Sequence, residues 1–357
     1  MPHNILFIVS SLNFGGAEKQ TVADANLIAE MYENANVHLI TFAEGPLSSQ
    51  LNVKVNVKTF QKKGYINTAF DLSKYVRRNN IKIIHSALFA PMVIAALTTL
   101  LINVTVIWHF HSHEYDMPLK SKLSFKWLGK LRNVKNILFV NRELMDYFHF
   151  LHFPRHKLNV LYNHSEISSS VKNIKNSKKT ISIGYLGRVV ALKRVVFLVY
   201  LAQYLHHKNI HNFIIEIVGD GTELENIRSK VINMNLGKYF IFHGFQSNTI
   251  EFYNKFDIFV NPSSEECLSI AMVDAAISKL PIVAFNVGGN AEIIQNNQTG
   301  YVVESQEEFN KYVAYLIEHE EVRLKMGDKG ASIAIETFGL EQHKKDLANI
   351  YYQTLNG

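Results

Sequence analysis

The stretch from Phe256 to Val303 constrains this chain more than any other. It opens on a short apolar run, 258–260, that reads as a buried strand, and breaks at Asn261-Pro262-Ser263-Ser264. A helical pattern follows from about Ser269, with Ala271, Met272, Ala275 and Ala276 on its packing face. A second buried strand, 281–285, runs into Gly288-Gly289, and another helix starts near Ala291. Strand–loop–helix, repeated, is the grammar of a parallel α/β sheet. Glu266 stands just before the first helix and Asp274 in its second turn. The helix start between them offers unpaired backbone N–H groups and the positive end of a dipole, which suit a phosphate. A carboxylate beside that anion would be repelled, so the two acids are better suited to hydroxyls. Phosphate plus hydroxyls points to a nucleotide sugar.

At 357 residues, 47% apolar and 19% charged, the chain can bury two cores of ordinary size. The single cysteine, Cys267, excludes an intrachain disulfide framework and a multi-cysteine zinc site, and fits a reducing cytoplasm. No leader pattern is present, since the apolar run 5–9 is too short for a signal core. The largely apolar segment 87–108 reaches the length of a membrane span, about 20 residues. Pro91 and Asn103 divide it, however, into a helix followed by a β-branched strand at 104–110. Charge is unevenly shared. Residues up to Lys175 carry 20 Lys/Arg against 11 Asp/Glu, and the remainder 17 against 20. A basic first half suits nucleic acid, anionic lipid or an anionic acceptor, and charge alone does not choose.

Taken in order, strands are expected at 5–9, 37–42, 55–60, 81–84 and 104–110, with helices after Gly15-Gly16, at 69–78 and at 87–101. His85 is expected to begin a loop. His109, His111 and His113 fall on one face of any continuing strand, a poor start for a tetrahedral metal set, and no H-E-x-x-H pair accompanies them. In 118–132, Leu119, Leu123, Trp127 and Leu131 recur at helical spacing beside a stripe of Lys122, Lys126 and Lys130. Two readings stand there. One is a surface helix beneath solvated lysines; the other is a patch that meets anionic head groups. The Ser/Lys/Asn-rich stretch 166–180 reads as an interdomain linker. After it, the strand 181–186 ends in Gly187-Arg188, with Lys193 shortly beyond. That puts two cations at the carboxyl end of a strand, where open α/β sheets bind ligands. Gly219-Asp220-Gly221 lacks the third glycine of a dinucleotide loop and reads as a tight turn.

Pro262-Ser263-Ser264-Glu265-Glu266-Cys267, Asp274-Ala275, Pro281 and Gly288-Gly289-Asn290-Ala291-Glu292 together resemble the signature of GT-B retaining glycosyltransferases of family 4. That signature reads P-S-x-x-E-G, E-A with seven residues between the acids, G-x-P and G-G-x-x-E. Cys267 and Lys279 replace glycines in it, and Asp274 replaces the second glutamate. The resemblance implies an α/β fold of two Rossmann-like domains with parallel sheets facing across a cleft. The domains would span 1–165 and 181–338, with a C-terminal helix, 339–357, crossing back to the first. It implies that Arg188 and Lys193 neutralise a leaving diphosphate, helped by Gly187 and by amides around Cys267, Leu268 and Ser269. Glu266 would hold sugar hydroxyls, Asp274 the ribose, and Phe245 would lie near the base. Gly15, Gly16 and His111, with His113 as the alternative, would border the reacting carbon.

The expected reaction moves a sugar, most simply from a UDP-sugar, to a hydroxyl of a cell-envelope glycan, lipid-linked or polyol-phosphate acceptor. No metal, cofactor or nucleic acid is expected to take part. The expected place is the cytoplasm, with peripheral contact at an anionic membrane. A sugar-nucleotide epimerase or phosphorylase of the same architecture, or a non-catalytic polyanion binder, are the alternatives.

Overall fold

The computed structural model describes residues 4–111, 125–150, 152–167 and 180–356. The chain divides into two units, Met1–Asn163 with Lys344–Gly357, and His164–His343. Each is built on one parallel sheet. The interior strands of such sheets are covered on both faces and read as largely apolar runs, while the edge strand at 55–59 is mostly exposed.

Unit 1 carries β1 (Asn4–Val9), β2 (Val37–Thr41), β3 (Val55–Thr59), β4 (Ile81–Ala87), β5 (Thr105–Phe110), β6 (Val134–Phe139) and β7 (Leu158–Val160), ordered β3-β2-β1-β4-β5-β6-β7. Helices α1 (Gly16–Met31), α2 (Tyr65–Arg78), α3 (Phe89–Thr98), α4, described at 125–129, and α5 (Arg142–Phe150) supply the connections. The order reverses between β1 and β4, and ligand crevices form at such switch points. The span-like segment resolves into α3 and β5. Trp108 is fully buried and donates its indole N–H to the Met92 carbonyl at 2.9 Å. No helix among the described residues is long and apolar enough to cross a membrane.

One expectation needs correction here, and two further findings stand beside it. His85 does not open a loop. It lies inside β4, which runs two residues further because Ser86 and Ala87 pair with Trp108 and His109 of β5. Strand β6 was not anticipated, because Lys135 and Asn136 interrupt its apolar run. Asn136 is nevertheless buried, donating to Thr354 Oγ1 at 2.5 Å and accepting from Asn159 at 2.8 Å. In α4, Phe125 and Leu128 are buried while Trp127 is 59% exposed, so the tryptophan does not share the packing face. Lys122, Leu119 and Leu123 lie outside the described residues, as do His113 and most of the stretch read as a linker.

Unit 2 carries β8 (Ile181–Leu186), β9 (Phe213–Val218), β10 (Phe240–Gly244), β11 (Ile258–Asn261), β12 (Ile282–Phe285) and β13 (Gly300–Val303), ordered β10-β9-β8-β11-β12-β13. Its helices are α6 (Phe197–His207), α7 (Leu224–Asn233), α8 (Ile250–Lys255), α9 (Ile270–Ile277), α10 (Asn290–Ile293), α11 (Gln306–Glu318), α12 (Glu320–Phe338) and the start of α13 (Leu340–Asn356). The switch point falls between β8 and β11. Leu347, Ile350 and Tyr351, on the later turns of α13, are buried in the unit 1 core with Phe7, Ile83 and Ile107.

Candidate functional site

In unit 2 the residues singled out by pattern gather at the carboxyl ends of β8 and β11, on either side of the switch point. Asn261 closes β11 and organises the loop after it. Its Oδ1 accepts from the Ser263 N–H at 3.1 Å and from Ser263 Oγ at 2.5 Å. Its Nδ2 donates to Glu266 Oε1 at 3.2 Å. The same carboxylate oxygen accepts from Ser263 Oγ at 2.9 Å and from Lys193 Nζ at 2.5 Å. Lys193 and Glu266 are therefore one partly buried ion pair, 19% and 11% exposed. In such a setting, removing one partner leaves an uncompensated charge, which is far costlier than losing a surface pair.

The loop that carries Lys193 is itself tied to the β11 loop. Ser264 donates its N–H to the Leu192 carbonyl at 2.8 Å, and Arg194 reaches the Ser263 carbonyl at 3.2 Å. The Arg194 guanidinium lies over the rings of Phe285 and Phe197, at 4.8 and 5.2 Å from their centroids, and burial lowers its pKa. Arg188 is exposed, while its carbonyl accepts from the Tyr185 hydroxyl at 2.8 Å. Burial, then the nearby Glu266, push that phenol up, against the opposing pull of Arg188, so it stays a neutral donor.

Gly288 explains why the two halves of the signature occur together. Its φ is +51°, and a Cβ there would overlap the Glu266 carbonyl. Gly289 then donates its N–H to the Cys267 carbonyl at 2.7 Å. The glycine pair after β12 thus presses directly on the loop that holds Glu266. Gly219-Asp220-Gly221, expected as a tight turn, has a similar cause. A Cβ on Gly219 would overlap the Gly187 carbonyl, and Val189 N–H bonds the Asp220 carbonyl at 2.9 Å.

The remaining expected residues of unit 2 are distributed as follows. Ser269 is the N-cap of α9, its hydroxyl accepting from the Met272 N–H at 3.4 Å, and Leu268 is buried beside it. Cys267 is half-buried and in no disulfide bond. Phe245 is exposed just past β10. Asp274 is buried within α9, and its Oδ1 accepts from Ser165 Oγ at 2.5 Å. The buried Tyr253 phenol lies beside it and is raised by burial and by the Asp274 charge. Asn261, Arg194, Ser165 and Tyr253 are not read from the sequence as part of this arrangement, and Ser263 enters there only through the signature, without a role. The one available signal for Asn261 was its place in the polar run after β11, read as a break.

In unit 1, Gly15 caps α1 without a side-chain bond, and a Cβ on Gly16 would meet nothing within 4 Å. His111 follows β5, its ring 4.0 Å from that of the buried His109. Asp24, His85 and His109 each bring one ligand atom within 4.8 Å of the others, from three separate elements, which spacing along the sequence did not reveal. His85 Nδ1 is paired with the Tyr351 hydroxyl at 2.9 Å and its Nε2 with His109 Nδ1 at 3.3 Å. Gln20 donates to Asp24 at 2.8 Å. A cation held by the three would have to displace the bond between the two histidines.

The family model described as "Glycosyl transferases group 1" matches residues 166–332, and "Glycosyltransferase Family 4" matches 14–165. The chain is 24% identical over 248 residues to a poly(ribitol-phosphate) alpha-N-acetylglucosaminyltransferase of Staphylococcus aureus. That match covers 68% of this chain but only 49% of the relative, about half its length. An uncharacterized glycosyltransferase of Haemophilus influenzae is 24% identical over 94% of this chain and 96% of its own. Among solved structures, Anabaena Alr3699/HepE, crystallised in complex with UDP, superposes with a TM-score of 0.83. It is 15% identical and covers 98% of this chain and 99% of its own, a likeness of fold.

Proposed function

The chain belongs to the glycosyltransferases of group 1, family 4, with the GT-B fold of two Rossmann-like domains, and from that premise we propose that it moves a sugar from a nucleotide-sugar donor to a hydroxyl of a cell-envelope glycan, lipid-linked or polyol-phosphate acceptor. The observation that carries the proposal is the Lys193–Glu266 pair, braced by Asn261 and Ser263 at the carboxyl ends of the switch-point strands. A diphosphate is an anion competing for Lys193, and its arrival turns Glu266 toward sugar hydroxyls. Arg188 and the start of α9 near Leu268 and Ser269 add to the neutralisation. Asp274, held by Ser165, takes the ribose. In unit 1, His111 and the Gly15-Gly16 turn are assigned to the transferred sugar, and the basic surface of that unit to an anionic acceptor.

The bond from the anomeric carbon to the phosphate oxygen breaks, and a bond to the acceptor oxygen forms on the same face. The acceptor proton passes to the departing phosphate, so configuration is retained and no protein base is needed. Fixed cations aimed at the leaving oxygens supply the electrostatic stabilisation. A thermal-stability scan of nucleotide sugars tests this. The matching donor at about 100 times its Kd adds about 2.7 kcal/mol. If every nucleotide and nucleotide sugar leaves Tm unmoved, the proposal fails.

A further inference from the structure

Unit 2 holds a concavity, of about 500 Å³, that the proposed reaction does not use. That volume lies within the range of small-ligand clefts. Its walls are Tyr204, Tyr301, Tyr312 and Tyr315, and its rim carries Lys208 and Lys311. It sits between the end of α6, the start of β13 and the last turns of α11. In a parallel sheet these are the amino ends of the strands, opposite the ends that bear Lys193 and Glu266. A ligand there is not the donor.

We propose that this groove binds a segment of an anionic saccharide, held by stacking of sugar rings on the tyrosines and by the two lysines on a phosphate or carboxylate. The aromatic surface is pre-built. Tyr301 and Tyr312 stack with centroids 4.0 Å apart and planes at 11°, and Tyr315 meets Tyr301 edge-on at 6.4 Å. Tyr301 is buried beneath the half-buried Tyr312, so the outer ring is backed and fixed in place. The negative π-face of such a ring attracts the weakly positive C–H bonds on the flat side of a pyranose. Sugars also need hydrogen bonds at the ring's edge. Burial, then the neighbouring Tyr315 and Tyr312, raise the pKa of the Tyr301 phenol, so it remains a protonated donor. Lys208 and Lys311 are exposed, with ammonium groups 5.8 and 5.7 Å from the Tyr204 and Tyr312 ring centres. Against these two cations the groove sets one carboxylate, Glu318, which leaves a positive excess and selects a sugar carrying negative charge. Such a site holds a glycan chain away from the reacting end, which raises the local concentration of that end.

The test is calorimetric titration of the full chain, its donor site filled with UDP, using an oligogalacturonate and its methyl ester as probes. The acid should bind weakly, with Kd on the order of 1 mM. The ester should bind about 10-fold more weakly, because the same rings lack the charge. The Lys208→Gln/Lys311→Gln double variant, altered only at exposed positions, should lose about 10-fold for the acid and nothing for the ester. Tyr312→Ala should weaken both probes, and Tyr312→Phe should keep most of the affinity. Transfer to a short acceptor should not change in any of these variants, so failure here is separable from failure of the proposed reaction. Equal affinity of wild type and the double variant for the acid, or no binding of the acid to wild type, overturns the proposal.

Discussion

A methyl group added at Gly288 in unit 2 would overlap the Glu266 carbonyl, whereas one added at Gly16 in unit 1 would meet nothing within 4 Å. The two glycine pairs look alike in the sequence, each following a strand and opening a helix, yet their causes differ. In unit 2, Gly288 is required by the fold, because two loops meet there backbone to backbone. In unit 1, a Cβ on Gly15 would meet only the end of the flexible Glu18 side chain and one on Gly16 nothing, so no backbone contact requires the pair, and open backbone is left at the start of α1 where a ligand can approach. Unit 2 adds side-chain bonds to this contact: Lys193, Asn261, Ser263 and Glu266 hold one another. A glycine can therefore mark a place where the protein touches itself or one where it leaves room.

The largest effect separates these two causes. Gly288→Ala forces a left-handed backbone and a clash with a neighbouring carbonyl, which should cost about 3–5 kcal/mol and on the order of 10 °C in Tm. Gly16→Ala should leave Tm within about 1 °C, because φ is ordinary and space is open, and should lower turnover instead. Calorimetric melting of both variants decides. Similar losses of stability in the two would erase the comparison.

A second effect sharpens the contrast by asking what the basic unit 1 meets. Trp127 is exposed beside Lys126 and Lys130. Replacing both lysines by Gln should weaken co-sedimentation with anionic liposomes by about 2 kcal/mol, about 1 kcal/mol per lysine, roughly 30-fold. Trp127→Ala should weaken it further without a change in Tm. Unchanged co-sedimentation would return this helix to a solvated surface.

The smallest effect concerns a place where unit 2 tolerates strain. Lys279 stands where the family signature has glycine, and its φ is +61°. The left-handed conformation costs a non-glycine residue roughly 1–2 kcal/mol. Its exposed contact with Asp328 at 3.0 Å offsets little of that. Lys279→Gly should therefore raise stability by about 0.5–1 kcal/mol in denaturant unfolding, the gain being trimmed by the added freedom of glycine in the unfolded chain. A loss of stability would show that Lys279 contributes more than its conformation costs.

What was legible in the sequence followed from local physics. Strand β12 and the first three residues of β11 are unbroken apolar runs, β8 is interrupted only by the small Ser182 and Gly184, and the spacing of Glu266, Asp274 and Gly288 is readable without any structure. Strand β6 was obscured by Lys135 and Asn136, whose polar side chains suit only a particular tertiary partner. The supports of the site were hidden for the same reason. Ser165 lies 109 residues from Asp274, and Lys193 lies 73 from Glu266, so their bonds exist only once the sheet has formed. The Asp24–His85–His109 cluster is a further case. Its members come from α1, β4 and β5, and alternation along one strand placed His109 with His111 and His113 instead.

In the proposed reaction, Lys193 and Glu266, which pair with each other, are the groups that receive the donor. Titration calorimetry of UDP into wild type, Lys193→Ala and Arg188→Ala measures it directly. Loss of a charge-assisted contact is worth about 1.5–3 kcal/mol, so each variant should bind UDP about 10- to 150-fold more weakly while remaining folded. Lys193→Ala should lose more, because Arg188 is exposed and Lys193 is half-enclosed by the loop it faces. Wild-type affinity for UDP in folded Lys193→Ala would contradict the account, and would leave the ion pair as a brace of the loop alone.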